Sequence, residues 1–263
     1  MRLRRFLLRA LAVAVVGYAL LCVFVATAYR AFLYPAPRRA ENATSDAKLV
    51  EVRTGDGRIA RAYRVGDDHD HTIVLFHGNG ELATDGLDLA RALASHGWTV
   101  VLAEYRGYGA SKDEGPPAED GLYADAEAIV EETRADILMG YSLGTGVATE
   151  MAKRGHGRAL VLLAPYTSIP DVAQRDVPIF PMHSLLRDKF DTRSKAPAIV
   201  LPVFVAHGDA DEVVPFDMGE TVAHAFPHGK FVTVSGAHHT DMFARDDDHL
   251  IQKIVDFIID VAP

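Results

Sequence analysis

A serine framed by glycines, Gly140-Tyr141-Ser142-Leu143-Gly144, is the group in this chain best suited to covalent chemistry. The pentapeptide G-x-S-x-G stands where an apolar run, Asp136–Met139, gives way to the helical pattern of Leu143–Lys153. At such a strand-to-helix turn the backbone is forced into a strained conformation that lifts the serine hydroxyl above the sheet. Glycines two residues to either side are needed because side chains there would meet neighbouring backbone. The competing reading is a glycine-rich helix start with an incidental serine.

A serine hydroxyl is a weak nucleophile, so it needs a base, and the base needs an orienting acid. Sites built on this turn carry them in the chain order serine, acid, histidine. Both follow here. His207-Gly208-Asp209-Ala210-Asp211-Glu212-Val213-Val214-Pro215 comes after the strand-like run Val203–Ala206 and offers Asp209 and Asp211. Gly236-Ala237-His238-His239-Thr240-Asp241 comes after Lys230–Val234 and offers His238 and His239. A tetrahedral intermediate also needs two preorganised N–H donors. One falls to the backbone N–H of Leu143, directly after the nucleophile, and the other to the loop after the third strand, His77-Gly78-Asn79-Gly80.

The elements that must hold these groups are legible as alternating strands and helices. Lys48–Thr54 and Arg58–Val65 alternate apolar and polar residues around Gly55-Asp56-Gly57, which reads as a β-hairpin. Thr72–Phe76 is a short apolar strand, followed by helical periodicity over Ala83–Ser95 and a strand at Thr99–Ala103. A helix over Ala118–Glu132, the strand and helix around Ser142, and a strand at Ala159–Leu163 come next. Residues 165–198 read as irregular, with five prolines and one short helix near His183–Lys189. A helix at Asp217–Ala225 and a last helix at Asp247–Val261 complete the chain. Apolar strands alternating with helices imply an α/β fold with a mostly parallel sheet covered on both faces. All the candidate groups then sit at C-terminal strand ends, where such sheets bind ligands.

Ahead of this body, Ala10–Tyr29 is a run of 20 uncharged, mostly apolar residues between Arg9 and Arg30. As a helix it would span about 30 Å, the thickness of a bilayer's hydrocarbon core. The expectation is one transmembrane anchor in residues 1–34 and a catalytic domain in 35–263, with 30–47 as a linker. The alternatives are a buried core helix, or a signal peptide cleaved near Ala28 after Ala26-Thr27-Ala28; the run is longer than the usual apolar core of such a peptide. Four arginines precede the run and Arg30, Arg38 and Arg39 follow it, which favours a cytoplasmic N-terminus and a catalytic body across the membrane. Cleavage would instead release a secreted or periplasmic protein.

Charge is divided in the same way. Of 27 Lys and Arg, five lie in residues 1–34, which hold no acid; the rest of the chain carries 22 basic and 36 acidic residues. An acidic body excludes nucleic acid as the expected partner. A single cysteine, Cys22, excludes an internal disulfide and a cysteine-based zinc site. Asp67-Asp68-His69-Asp70-His71 has the composition of a metal cluster but precedes a strand at the end away from the chemistry, so a solvated loop is expected. Asp246-Asp247-Asp248 reads as the cap of the last helix. No metal or organic cofactor is expected.

The ordered motifs resemble the α/β-hydrolase superfamily, and within it the membrane-anchored α/β-hydrolase-domain serine hydrolases, whose body is similar to prolyl-oligopeptidase-type and dienelactone-hydrolase-type enzymes. The resemblance covers nearly the whole chain. It rests on the N-terminal span, Phe32-Leu33-Tyr34-Pro35, His77-Gly78-Asn79-Gly80, Tyr105-Arg106-Gly107-Tyr108-Gly109-Ala110-Ser111, Ser142-Leu143-Gly144-Thr145-Gly146 and the two downstream motifs. The family pattern H-G-x-x-D-x-x-V-P implies Asp211 as the acid and Asp209 as a turn residue. The pattern G-x-G-H-x-D implies His239 as the base, with His238 where the family has glycine. It also implies the Asn79 N–H as the second oxyanion donor. His77 is expected to be structural, and the Tyr105–Gly109 stretch a self-held turn, with Tyr108 as a second-choice pocket wall.

The function that follows is a membrane-anchored serine hydrolase acting on an ester or thioester, with Ser142, Asp211 and His239 as triad and Asn79 and Leu143 as oxyanion donors. A serine at position 142 excludes the chemistry of an aspartate nucleophile. About 30 residues in place of a lid leave an accessible site beside the bilayer, suited to acyl lipids or acylated proteins. A serine peptidase is the alternative within the class, and a catalytically silent membrane-bound binding protein the alternative outside it.

Overall fold

A computed structural model describes residues 2–67, 71–245 and 249–261. The first helix, α1 (Arg2–Leu33), is long and apolar enough to cross a membrane. The hairpin β1 (Lys48–Arg53) and β2 (Ile59–Val65) follows, then β3 (Thr72–Phe76), α2 (Leu87–Ala94), β4 (Thr99–Glu104), α3 (Glu119–Thr133), β5 (Ile137–Tyr141), α4 (Leu143–Lys153) and β6 (Ala159–Leu163). The second half holds α5 (Ile169–Asp176), α6 (Met182–Leu185), α7 (Thr192–Lys195), β7 (Val203–Gly208), α8 (Phe216–Ala225), β8 (Gly229–Val234), α9 (Met242–Arg245) and α10 (His249–Val261).

The strands form one sheet in the order β1-β2-β4-β3-β5-β6-β7-β8. β2 alone runs against the others, pairing antiparallel with β1 and with β4; the six from β4 to β8 are parallel. Successive side chains of a strand point to opposite faces, and here each face has its own apolar layer. Val74, Phe76, Leu138, Leu160 and Val205 pack under α3, α4 and α8. Ile73, Leu75, Met139, Val161 and Phe204 pack under α2 and α10. Chain order reverses direction at β3, between β4 and β5, and the crevice at that switch point opens beyond the C-terminal strand ends.

The expected helix at 83–95 is split into a 3₁₀ turn, Ala83–Gly86, and α2. The 165–198 segment departs further from expectation. It holds three short helices rather than one, and the longest, α5, lies where the prolines suggested irregularity. Pro170 sits in the first turn of α5, where a missing N–H costs nothing, and the Ser168 hydroxyl caps that turn by accepting the Asp171 N–H at 3.1 Å. The central part of the metal-like stretch, residues 68–70, and the acidic run 246–248 lie outside the described residues. Asp67 pairs with Lys48 at 3.1 Å on the exposed surface.

Candidate active site

The turn between β5 and α4 places Ser142 at φ 49°, ψ −118°, a left-handed conformation that a serine adopts only under constraint. The constraint is packing. A Cβ on Gly144 would collide with the Phe76 carbonyl, and one on Gly140 with the backbone of Gly144 and Thr145. The Ser142 N–H donates to the Leu163 carbonyl at 2.9 Å, which ties the turn to β6.

Ser142 and His239 are both nearly buried. His239 Nε2 stands 3.0 Å from Ser142 Oγ, and its Nδ1 stands 2.7 Å from Asp211 Oδ2. An Nδ1 facing a carboxylate carries the proton, which leaves Nε2 free to accept from the serine hydroxyl. Asp211 Oδ1 accepts the N–H groups of Val213 and Val214, each at 2.8 Å. Burial opposes ionisation of Asp211, but donation from His207, His239 and the Val214 N–H outweighs it and holds the carboxyl below the ordinary range. His238 is half-exposed and its Nδ1 lies 2.9 Å from Glu212, so of the two histidines His239 is the one beside Ser142. Asp209 accepts the Gly236 N–H at 2.5 Å, joining the two loops.

Asn79, Ser142 and Leu143 line one apolar cleft of about 380 Å³. Leu143 is the first residue of α4, so its N–H has no partner within the helix and lies at the positive end of the helix dipole. The loop carrying Asn79 is held from behind. Tyr108 is fully buried and its hydroxyl donates to the Asn79 carbonyl at 2.8 Å; it is not a wall of this cleft. Tyr105 donates to the His77 carbonyl at 2.8 Å. The turn carrying these tyrosines is self-held, with the Gly107 N–H on the Ser111 carbonyl at 2.9 Å.

The partners of His77, expected to be structural, and of Arg106 and Tyr141 are not legible in the sequence. His77 is buried, with Nδ1 2.7 Å from the Gly78 carbonyl and Nε2 3.0 Å from Glu104. Burial disfavours its charged form, but Glu104 more than compensates and raises its pKa above the ordinary value. Arg106 forms a buried pair with Asp125 at 2.7 Å and reaches Asp56 at 2.8 Å. Tyr141, the second residue of the pentapeptide, stacks on His239 with ring centres 5.5 Å apart, and its hydroxyl donates to the His239 carbonyl. Tyr141 and His239 line a second cleft, of about 520 Å³.

Among the described residues, Glu127, Glu131 and His156 bring possible metal-ligand atoms within 4.8 Å of one another. Sequence spacing did not suggest this group. Glu127 is already paired with Arg154 at 2.8 Å, and none of the three lines the Ser142 cleft.

The fold agrees with that of known proteins. A family model described as serine aminopeptidase, S33 matches residues 67–185. The uncharacterised protein Rv2307c of Mycobacterium tuberculosis is 32% identical over 225 residues, 81% of this chain and 79% of that one. The lysophosphatidylserine lipase ABHD12 of Danio rerio is 32% identical over 197 residues, 64% of this chain; the match spans half of that longer protein. The esterase Pf2001 of Pyrococcus furiosus superposes with a TM-score of 0.70 at 18% identity, over 87% of this chain and 97% of that one. With the doubly covered sheet and the strained elbow at the end of β5, these likenesses make the chain a hydrolase, and it belongs to the α/β-hydrolase superfamily.

Proposed function

We propose that this protein is a membrane-anchored serine hydrolase that cleaves a carboxylic ester or thioester of an acyl substrate. The observation that carries the reading is the hydrogen-bonded series Ser142 Oγ, His239 and Asp211 on a strained elbow facing an apolar cleft. His239 Nε2 removes the hydroxyl proton as Ser142 Oγ attacks the acyl carbonyl. The oxyanion gathers the N–H groups of Leu143 and Asn79. Asp211 holds the ring in its Nδ1–H tautomer and stabilises the imidazolium that forms. The proton passes from Nε2 to the departing alcohol or thiol, an acyl-serine remains, and water activated by the same histidine releases the acid.

The cleft favours an acyl group. Its lining is apolar apart from a few groups such as Asn79, Ser142 and Asp176. The helix α1 supplies the anchor, with residues 1–34 as the tether and the rest as the catalytic unit, N-terminus on the cytoplasmic side. A peptidase reading draws on the aminopeptidase description of the matching family model. It requires turnover of an aminoacyl amide.

The test is labelling with a fluorophosphonate, followed by a panel of p-nitrophenyl esters, an acyl thioester and an aminoacyl amide. Labelled wild type, an unlabelled Ser142→Ala variant and turnover of esters or thioesters support the reading. Equal labelling of Ser142→Ala defeats it, and turnover of the amide alone transfers it to the peptidase.

A further inference from the structure

The helix α1 does more than trail from the body. Residues 2–21 are exposed, but Cys22, Val25, Ala26, Ala28, Tyr29 and Leu33 are half-buried. All but Ala28 follow a spacing of three, four, seven and eleven residues, one stripe of a helix turned toward the catalytic body, and Ala28 lies beside that stripe. The docking is specific. Buried Asp188, between α6 and α7, accepts the Arg30 guanidinium through both oxygens at 2.8 and 2.9 Å and the Tyr34 hydroxyl at 3.0 Å. The Asp188 N–H donates to the Tyr29 hydroxyl at 3.2 Å. Farther up the helix, the Tyr18 hydroxyl donates to the Ile179 carbonyl at 2.7 Å, and its ring stacks on Phe180 at 5.9 Å.

The docked stretch also faces the chemistry. Phe24, Ala28 and Phe32 line the same cleft as Ser142. They are four residues apart, so they lie one above another on the helix. A small residue between two phenyl rings makes a notch, and Ala28 sets its depth.

Length then decides where the cleft sits. Docking begins at Tyr18, and the uncharged stretch of α1 between Arg9 and that point is Ala10–Gly17, about 12 Å at 1.5 Å per residue. That stretch is too short to cross a hydrocarbon core of about 30 Å by itself. For α1 to span, Tyr18–Tyr29 must lie in the hydrocarbon with the face docked on it. That face is equipped for lipid: Ile179 is 68% exposed and Val213, at the cleft, 50% exposed.

Resting on the Ser142 reading above, we propose that the C-terminal half of α1 is a wall of the acyl cleft. The chain of a lipid in the same leaflet passes along α1 into the Phe24–Ala28–Phe32 notch, and Ala28 is a determinant of acyl length. It follows that α1 is retained, since cleavage near Ala28 would remove one side of the site.

The experiment uses the full chain in proteoliposomes and compares kcat/KM for p-nitrophenyl dodecanoate with that for the acetate, in wild type, Ala28→Leu and Ala28→Trp. The ratio is taken within one preparation, so a partly folded variant scales both rates alike. The expected result is a graded fall in the dodecanoate-to-acetate ratio, about tenfold for Ala28→Trp and less for Ala28→Leu. Ratios equal to wild type in both variants overturn the wall assignment while leaving the Ser142 reading intact. Unchanged hydrolysis of both esters by Ser142→Ala removes that reading, and this proposal with it. A long-chain ester in the enzyme's own vesicles should be consumed before the same ester in separate vesicles; equal initial rates overturn access through the leaflet.

Discussion

His207 Nε2 lies 3.2 Å from Asp211 Oδ2, the same oxygen that faces His239 Nδ1 at 2.7 Å. His207 Nε2 also faces the Val214 carbonyl at 3.0 Å, so it carries the proton and donates to both. Its Nδ1 is buried without a partner against Gly219, where a Cβ would strike the ring. His207 is therefore a hydrogen-bonding strut under the candidate triad acid.

Removing that strut should change the acid side of the activity profile. Asp211 is held below its ordinary pKa partly by the His207 donor. Replacing His207 by Leu raises the carboxyl, so the ionised form is lost at a higher pH as the medium is acidified. The kcat/KM profile should lose activity at higher pH in His207→Leu, and His207→Gln, which keeps a donor, should restore part of the profile. Superimposable acid limbs would show that His207 does not act through Asp211.

The loop proposed to bind the oxyanion is held by a tyrosine that does not line the cleft. Tyr108→Phe removes the hydroxyl that holds the Asn79 carbonyl. It should lower kcat by about tenfold with a smaller change in KM, because the donor serves the transition state. Asn79→Ala keeps the backbone N–H and should cost less than Tyr108→Phe. The opposite order would place the donor on the Asn79 side chain.

The pair Arg106–Asp125 is buried on both sides, and burial pushes the Asp125 carboxyl up even against the guanidinium. Arg106→Leu leaves that acid unpaired and should destabilise the fold by about 3–5 kcal/mol in denaturant titration. Arg106→Leu with Asp125→Leu should recover much of the loss. A double variant no more stable than the single would mean that the turn depends on the charges themselves.

His77 links stability to alkaline pH. Its pKa is raised in the folded state, so its contribution is complete below the ordinary imidazole value of about 6.5 and is lost as pH rises through the folded value. The Tm difference between wild type and His77→Gln should therefore narrow from about pH 6 upward. A gap that widens with pH would reverse the sign of this link.

Local patterns were the legible part of this protein. The elbow could be read from five residues because glycine need and helix start are both local, and β3, α4 and β6 fall where the periodicity put them. The partners of His77, Arg106 and Tyr141 gave no such signal, because they are distant in sequence and meet only when the sheet forms. The helix at 169–176 was hidden by Pro170, which breaks a helix interior but suits a first turn. Phe24 and Ala28 fall within the run Ala10–Tyr29 that reads as a membrane span, and Phe32 in the linker after it; hydropathy does not distinguish a residue facing lipid from one facing an acyl cleft.

The most direct measurement is rapid acid quenching during turnover of a p-nitrophenyl ester or acyl thioester, with intact-mass and peptide analysis. The mechanism predicts one acyl group per chain on the peptide containing Ser142, more of it in His239→Gln if deacylation is slowed more than acylation, and none in Ser142→Ala. Turnover by Ser142→Ala at the wild-type rate, or an acyl group carried on another residue, would contradict it.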